Sequence, residues 1–127
     1  MKNAESLLEI EALTENLLKH NAKNNLLKFK VLYFISQYEN LSIAMIISKL
    51  GIKKSNFALM TKQLEEEGYV GSKQGEIDKR CRMLFLTKKG KDELSCYLNS
   101  LNAIFKEQDP AVDQAITTLC TYLNKKI

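Results

Sequence analysis

Apolar side chains at Leu7, Ile10, Leu13 or Thr14, Leu17 and Leu18 return every three or four residues among Glu and Asn. This spacing predicts an amphipathic helix over the first twenty residues. Asn25 to Tyr38 carries Leu26, Leu27, Phe29, Val31, Leu32, Phe34 and Ile35 on most sides, as a helix at the centre of a domain would. Glu39 and Asn40 predict a turn. Ser42 stands where a short helix running to about Leu50 wants an N-cap, and Gly51 is its stop. From about Lys53 to Glu67 a second helix turns Phe57, Met60 and Leu64 inward, and Gly68 ends it. A short helix, a Gly-containing turn and an amphipathic helix form the pattern of a helix-turn-helix, which helical hairpins in general share.

After Tyr69 and Val70 the helical period breaks, and Gly71 to Arg80 is rich in turn formers and charge, so it reads as a loop. Cys81 to Thr87 then alternates as a short strand, with Arg82, Leu84 and Leu86 on one parity and Met83 and Phe85 on the other. Strand, basic tip and strand predict a β-hairpin. Thr87 can cap a helix from about Lys88 to Lys106 with the stripe Leu94, Tyr97 or Leu98, Leu101, Ile104 and Phe105. Asp109 caps a last helix with Pro110 at its first position and Val112, Ala115, Ile116, Leu119 and Leu123 as its apolar face. The expected fold is mainly α with a small β-hairpin wing, a winged helix-turn-helix. No internal repeat appears, and the turn near Gln108 is the one plausible boundary.

Length fits one domain, 1–127, because 127 residues bury a core without disulfides or a structural metal. Hydrophobic residues are 45% and charged ones 27%, the balance of an ordered globule, which argues against disorder. Apolar runs such as Val31 to Ile35 and Ile43 to Ile47 fall far short of the ~20 residues of a membrane span. The start, Met1 to Glu5, lacks the pattern of a secretory signal, so a cytoplasmic protein without a membrane partner is expected. Cys81, Cys96 and Cys120 have no paired spacing, and His20 has no second ligand nearby, so neither a disulfide framework nor a metal site is indicated and no cofactor is expected. No paired acid and base and no Cys with His supports an enzyme.

The net charge of +4 says little; its placement says more. A helix entering the major groove needs short polar or long cationic side chains near its N-terminus, and Lys53, Lys54, Ser55 and Asn56 fit that need. Asn56 can pair in bidentate fashion with adenine, and Lys62 lies two turns on, where a phosphate would be within reach. The same four residues also suit a solvated helix start with Ser55 as its cap. Lys73, Lys79, Arg80 and Arg82 cluster four positive charges around the hairpin against Glu76 and Asp78. Such a tip suits a minor groove, where Arg responds to groove width and Lys displaces counterions. A hairpin charged only for solubility is the competing explanation.

Asp78, Arg80, Leu86, Thr87 and Gly90, together with Leu64, Glu65, Glu66, Glu67, Gly68, Tyr69 and Val70, resemble the wing and the recognition-helix ending of the MarR family of bacterial transcription regulators. The similarity runs through nearly the whole chain and is sharpest from Leu41 to Gly90. The resemblance implies a DNA-binding regulator, with Asp78 structuring the wing and the winged helix-turn-helix spanning 25–90. It also implies that 1–24 and 91–127 are dimerisation helices of a homodimer on a pseudo-palindromic operator. Leu7, Ile10, Leu17, Ile104, Phe105, Ile116, Leu119 and Leu123 then supply apolar stripes for a partner, although packing within one chain would use some of them.

Two stretches depart from the family pattern. Ala58 and Leu59 stand where many members have a polar residue and an Arg, and Ile43, Ala44 and Met45 replace polar residues at the start of the preceding helix. The alternative function is therefore a winged-helix module that binds protein and has little DNA affinity. The resemblance further implies a small lipophilic or phenolic effector in a crevice for which Phe29, Tyr33, Tyr38 and Met83 are candidates, although aromatic residues at helical spacing are more often core. Of the three thiols, Cys81 has the most electropositive neighbours, yet a place in a strand would bury it and leave it inert.

Overall fold

A computed structural model describes residues 2–23, 25–38, 42–76, 78–105 and 109–126. The chain forms α1 (Lys2–Asn21), α2 (Leu26–Gln37), α3 (Ile43–Leu50), α4 (Lys54–Glu66), β1 (Val70–Gln74), β2 (Arg82–Leu86), α5 (Lys88–Asn102), a 3-10 turn at Ala103–Phe105, and α6 (Pro110–Lys126). The turn predicted at Glu39 and Asn40 and the boundary near Gln108 lie outside the described residues, whereas the helix expected to run to about Lys106 ends at Asn102 and gives way to the 3-10 turn.

The core gathers around α2, as its all-round apolar character predicts. Val31, Leu32 and Ile35 of α2 meet Ile46 and Leu50 of α3, Phe57 and Leu64 of α4, Val70, Leu84 and Leu86 of the hairpin, and Leu94 of α5. Local chemistry bounds α3, the end of α4 and the start of α6 where the sequence indicates. The Ser42 hydroxyl accepts the Met45 amide at 3.4 Å, and Gly51 takes the left-handed conformation at φ 72° that terminates α3. Gly68, at φ 83°, turns the chain out of α4 in the same way. Asp109 accepts the Ala111 amide at 3.0 Å ahead of Pro110.

Thr87 ties the hairpin to α5. Its hydroxyl donates to the Gly68 carbonyl at 2.6 Å and accepts the Gly90 amide at 3.1 Å, so one side chain caps α5 and closes the corner after α4. Beside it, the ammonium groups of Lys28 and Lys89 each lie over the Tyr69 ring, 4.5 Å from its centroid. Gly90 packs so closely on Tyr69 that an added Cβ would collide with the Tyr69 carbonyl oxygen. Gly90→Ala must push α5 away from that carbonyl, and we expect it to destabilise the fold by about 1–3 kcal/mol. A urea midpoint equal to the parent's would refute the contact.

The structure corrects two expectations. All but the first residue of β1 lies inside the stretch read as a loop: Val70–Gln74 pairs antiparallel with Arg82–Leu86 in the register Val70 to Leu86 through Gln74 to Arg82. Neither Gly71 nor the charged residues after it favour a strand, but β2 offers a ladder of backbone partners, and Gly71 leaves room for the Phe85 ring. Cys81 stands in the turn before β2, half-buried, and not in the strand itself.

The terminal helices attach differently from the rest. Tyr97 of α5 stacks on Phe29 with ring centroids 4.1 Å apart and donates its hydroxyl to the Leu18 carbonyl at 3.0 Å, anchoring the end of α1. Burial pushes the Tyr97 hydroxyl pKa up, so it remains a donor at neutral pH. Elsewhere α1 and α6 bury none of their described side chains. No helix among the described residues is long and apolar enough to cross a membrane.

Candidate nucleic-acid interface

On α4 the inward positions Phe57, Thr61 and Leu64 are buried, so the stripe that looks away from the core is Ser55, Leu59, Lys62 and Glu66. Lys54, Ala58 and Glu65 form the flank toward the hairpin, and Asn56 with Gln63 the other. The α4 cap position is Lys53, which makes no side-chain cap bond, and Ser55 sits within the first turn. The reading of Ser55 as a cap is therefore set aside, and no capping side chain occupies the first-turn amides of α4.

The start of α4 and the hairpin meet on one surface. A concavity of about 390 Å³ is lined by Ile43 and Ile47 of α3, by Lys54, Phe57, Ala58, Thr61, Lys62 and Glu65 of α4, and by Arg82 of β2. Lys54, Lys62 and Arg82 thus border one concavity. Arg82 holds that arrangement: its guanidinium donates to Ser72 Oγ at 2.6 Å and to Glu65 Oε1 at 3.4 Å, bracing the hairpin against α4. Lys73 lies exposed on β1 opposite Met83, and Lys79 is exposed in the tip.

The tip is built around Asp78. Its Oδ1 accepts the Arg80 amide at 3.0 Å and Arg80 Nε at 3.2 Å, while Oδ2 accepts Nη2 at 3.5 Å. Arg80 is held at its base yet leaves 91% of its side chain exposed. The Gly75 amide donates to the Cys81 carbonyl at 2.8 Å, and a Cβ at Gly75 would lie 2.7 Å from the Asp78 carbonyl oxygen, so the chain closes only with glycine there. The Arg80 amide, its guanidinium and the Cys81 side chain hold the Asp78 carboxyl below the usual aspartate range. Because that pKa is depressed on folding, its contribution is present above the ordinary aspartate value and is lost only as pH falls through the lower folded one. The tip therefore keeps its shape through neutral and mildly acidic pH.

The four residues named for an effector crevice are not brought together. Phe29 is taken up by its stack on Tyr97, and Met83 faces the hairpin side with Ser42 and Cys81. Tyr33 and Tyr38 line a separate groove of about 470 Å³ between α2, α3 and α6, with Phe34, Met45, Ser48, Lys49, Cys120 and Asn124. Nothing in the sequence places the α3 and α6 residues beside these tyrosines, because only the tertiary packing of those helices brings them there. Cys81, Cys96 and Cys120 are all free thiols.

The chain has relatives that carry this architecture. The MarR family profile matches residues 25–81. The HTH-type transcriptional regulator SarZ of Staphylococcus saprophyticus is 33% identical over 98 residues, covering 75% of this chain and 67% of that protein. Among solved structures, a MarR-family transcriptional regulator from Silicibacter pomeroyi superposes with a TM-score of 0.76 at 17% identity, covering 98% of this chain and 89% of that one. The transcriptional repressor CouR, bound to a 23-mer DNA duplex, superposes with a TM-score of 0.72 at 19% identity over 95% of this chain and 91% of its own. Identity this low compares folds, and the folds agree on a winged helix-turn-helix between long terminal helices. One-third identity to SarZ over two-thirds of that regulator's length adds sequence to shape, and the chain belongs to the MarR family of transcription regulators.

Proposed function

We propose that the chain binds double-stranded DNA as a homodimer on a pseudo-palindromic operator, with α4 in the major groove and the hairpin tip in the flanking minor groove. The observation that carries this reading is that Lys54 and Lys62 of α4 and Arg82 of β2 border one concavity, as suits a reading helix and a wing that meet one duplex. In this arrangement Lys53, Lys54 and Lys62 meet phosphates, Ser55 and Asn56 face base edges, Arg80 enters the minor groove, and Lys73 and Lys79 neutralise its rims. Asp78 and Arg82 keep the wing in shape. Cytoplasmic residence accords with this role.

The case for a dimer rests on the terminal helices. The large hydrophobics Leu7, Leu8, Ile10, Leu13, Leu17, Ile104, Phe105, Val112, Ile116 and Tyr122 are all exposed. Between α1 and α6, Leu7, Ile10 and Tyr122 of this set border an apolar groove of about 780 Å³ together with Leu119 and Leu123. A monomer rarely leaves so much apolar surface to water, and a second copy offers the same stripes in return. Two-fold symmetry then places half-sites roughly 34 Å apart. The groove beside Tyr33, Tyr38, Met45 and Cys120, between α6 and the winged domain, is where a small lipophilic or phenolic effector would act.

Anisotropy titrations of the purified protein against the intergenic DNA beside its own gene, run across salt, test this reading. Log affinity is expected to fall steeply and linearly with log salt, by about 0.9 per phosphate neutralised. Affinity that ignores salt, or none at all, would favour the protein-binding alternative, for which exposed Leu59 and Met45 supply the motive.

A further inference from the structure

Leu59 is 71% exposed, although it is a large aliphatic side chain on a helix whose other outward positions are polar or small. Single exposed leucines are ordinary on protein surfaces. This one is distinguished by position: Ser55 stands one turn before it and Lys62 one turn after, so it occupies the middle of the α4 stripe that faces away from the core. Ala58 beside it, also exposed, adds a methyl in place of a polar group. Along that stripe only Ser55 and Lys62 can donate a hydrogen bond, and Glu66 at its far end would repel phosphates.

We propose that Leu59 is a specificity-determining residue that packs on the C5-methyl group of a thymine in the major groove. Base edges in that groove present hydrogen-bond donors and acceptors at every pair, and one apolar feature, the thymine methyl. A leucine at the centre of the reading face gains only from that feature, because over any other edge it strips water from polar atoms and returns no bond. The half-site then carries a thymine at a fixed place, read by apolar contact and not by the Arg-to-guanine fork common in protein–DNA recognition. The inference rests on the preceding reading of α4 as the helix in the groove.

The test begins by selecting bound duplexes from a randomised DNA library with the full-length protein. It then compares the selected operator with one in which the thymine is replaced by deoxyuridine, which removes the methyl alone. Wild-type affinity is expected to fall about fourfold per methyl, and roughly fifteenfold when both half-sites are changed. Leu59→Ala should bind the thymine operator more weakly by a similar factor and no longer distinguish it from the uracil version. Its thermal unfolding should match the parent's, since the side chain lies outside the core. A selected half-site without an invariant thymine, or a Leu59→Ala protein that still discriminates, overturns the assignment while leaving DNA binding by α4 intact. Failure of the wild type to select any duplex removes the reading of α4 together with the inference.

Discussion

Aspartate at both Ile10 and Ile116 is expected to convert the proposed dimer to a monomer and to lower operator affinity by about a hundredfold or more. These side chains are 41% and 48% exposed on helices that bury none of their described residues, so charging them leaves the core of the single chain untouched. In the dimer they would be covered, and two unpaired carboxylates per chain at an apolar interface cost several kcal/mol. The DNA effect follows from the linkage between half-sites: once one winged domain docks, the other is held at high local concentration over its own half-site, and separating them forfeits that gain. Light scattering reports the mass, and anisotropy on a two-half-site duplex reports the affinity. A variant that stays dimeric, or a monomer that binds as tightly as the parent, would end the claim that α1 and α6 form the dimer.

Arg80→Ala is expected to weaken operator binding by about a hundredfold or more, because a charge-assisted contact of about 1.5 kcal/mol would be lost from both wings of the proposed dimer. The slope of log affinity against log salt should also become shallower by about two, one phosphate's worth for each copy. Asp78→Asn separates charge from geometry. It leaves Arg80 cationic but removes the carboxylate that accepts its amide and guanidinium, so affinity should fall several-fold with little change in slope. Equal slopes for Arg80→Ala and the parent would place Arg80 outside the interface.

Much of this protein can be read from residues near one another in the chain, because the rules that act there span a single helical turn. Ser42, Gly51, Gly68, Thr87 and the Asp109–Pro110 pair mark helix ends through bonds to amides two or three positions away or through one left-handed residue. The period of the apolar positions identifies α2 as central and leaves α1 and α6 with stripes in search of a partner. The Asp78–Arg80 clamp also spans only two residues, but it is the resemblance to the MarR wing that gives Asp78 its structuring role.

What escaped such rules depends on partners distant in sequence. β1 exists because β2 pairs with it, although its own residues spell a loop. Arg82 looks like one more wing cation until Glu65, seventeen residues earlier, and Ser72 take up its guanidinium. Phe29, Tyr33, Tyr38 and Met83 look alike as apolar candidates for one crevice, but packing sends them to three places. Leu59 gains meaning only when the burial of Phe57, Thr61 and Leu64 shows which side of α4 is left for the groove. Periodicity and caps carry no information about partners more than a turn or two away in the chain, and at those separations three-dimensional packing chooses which side chains meet.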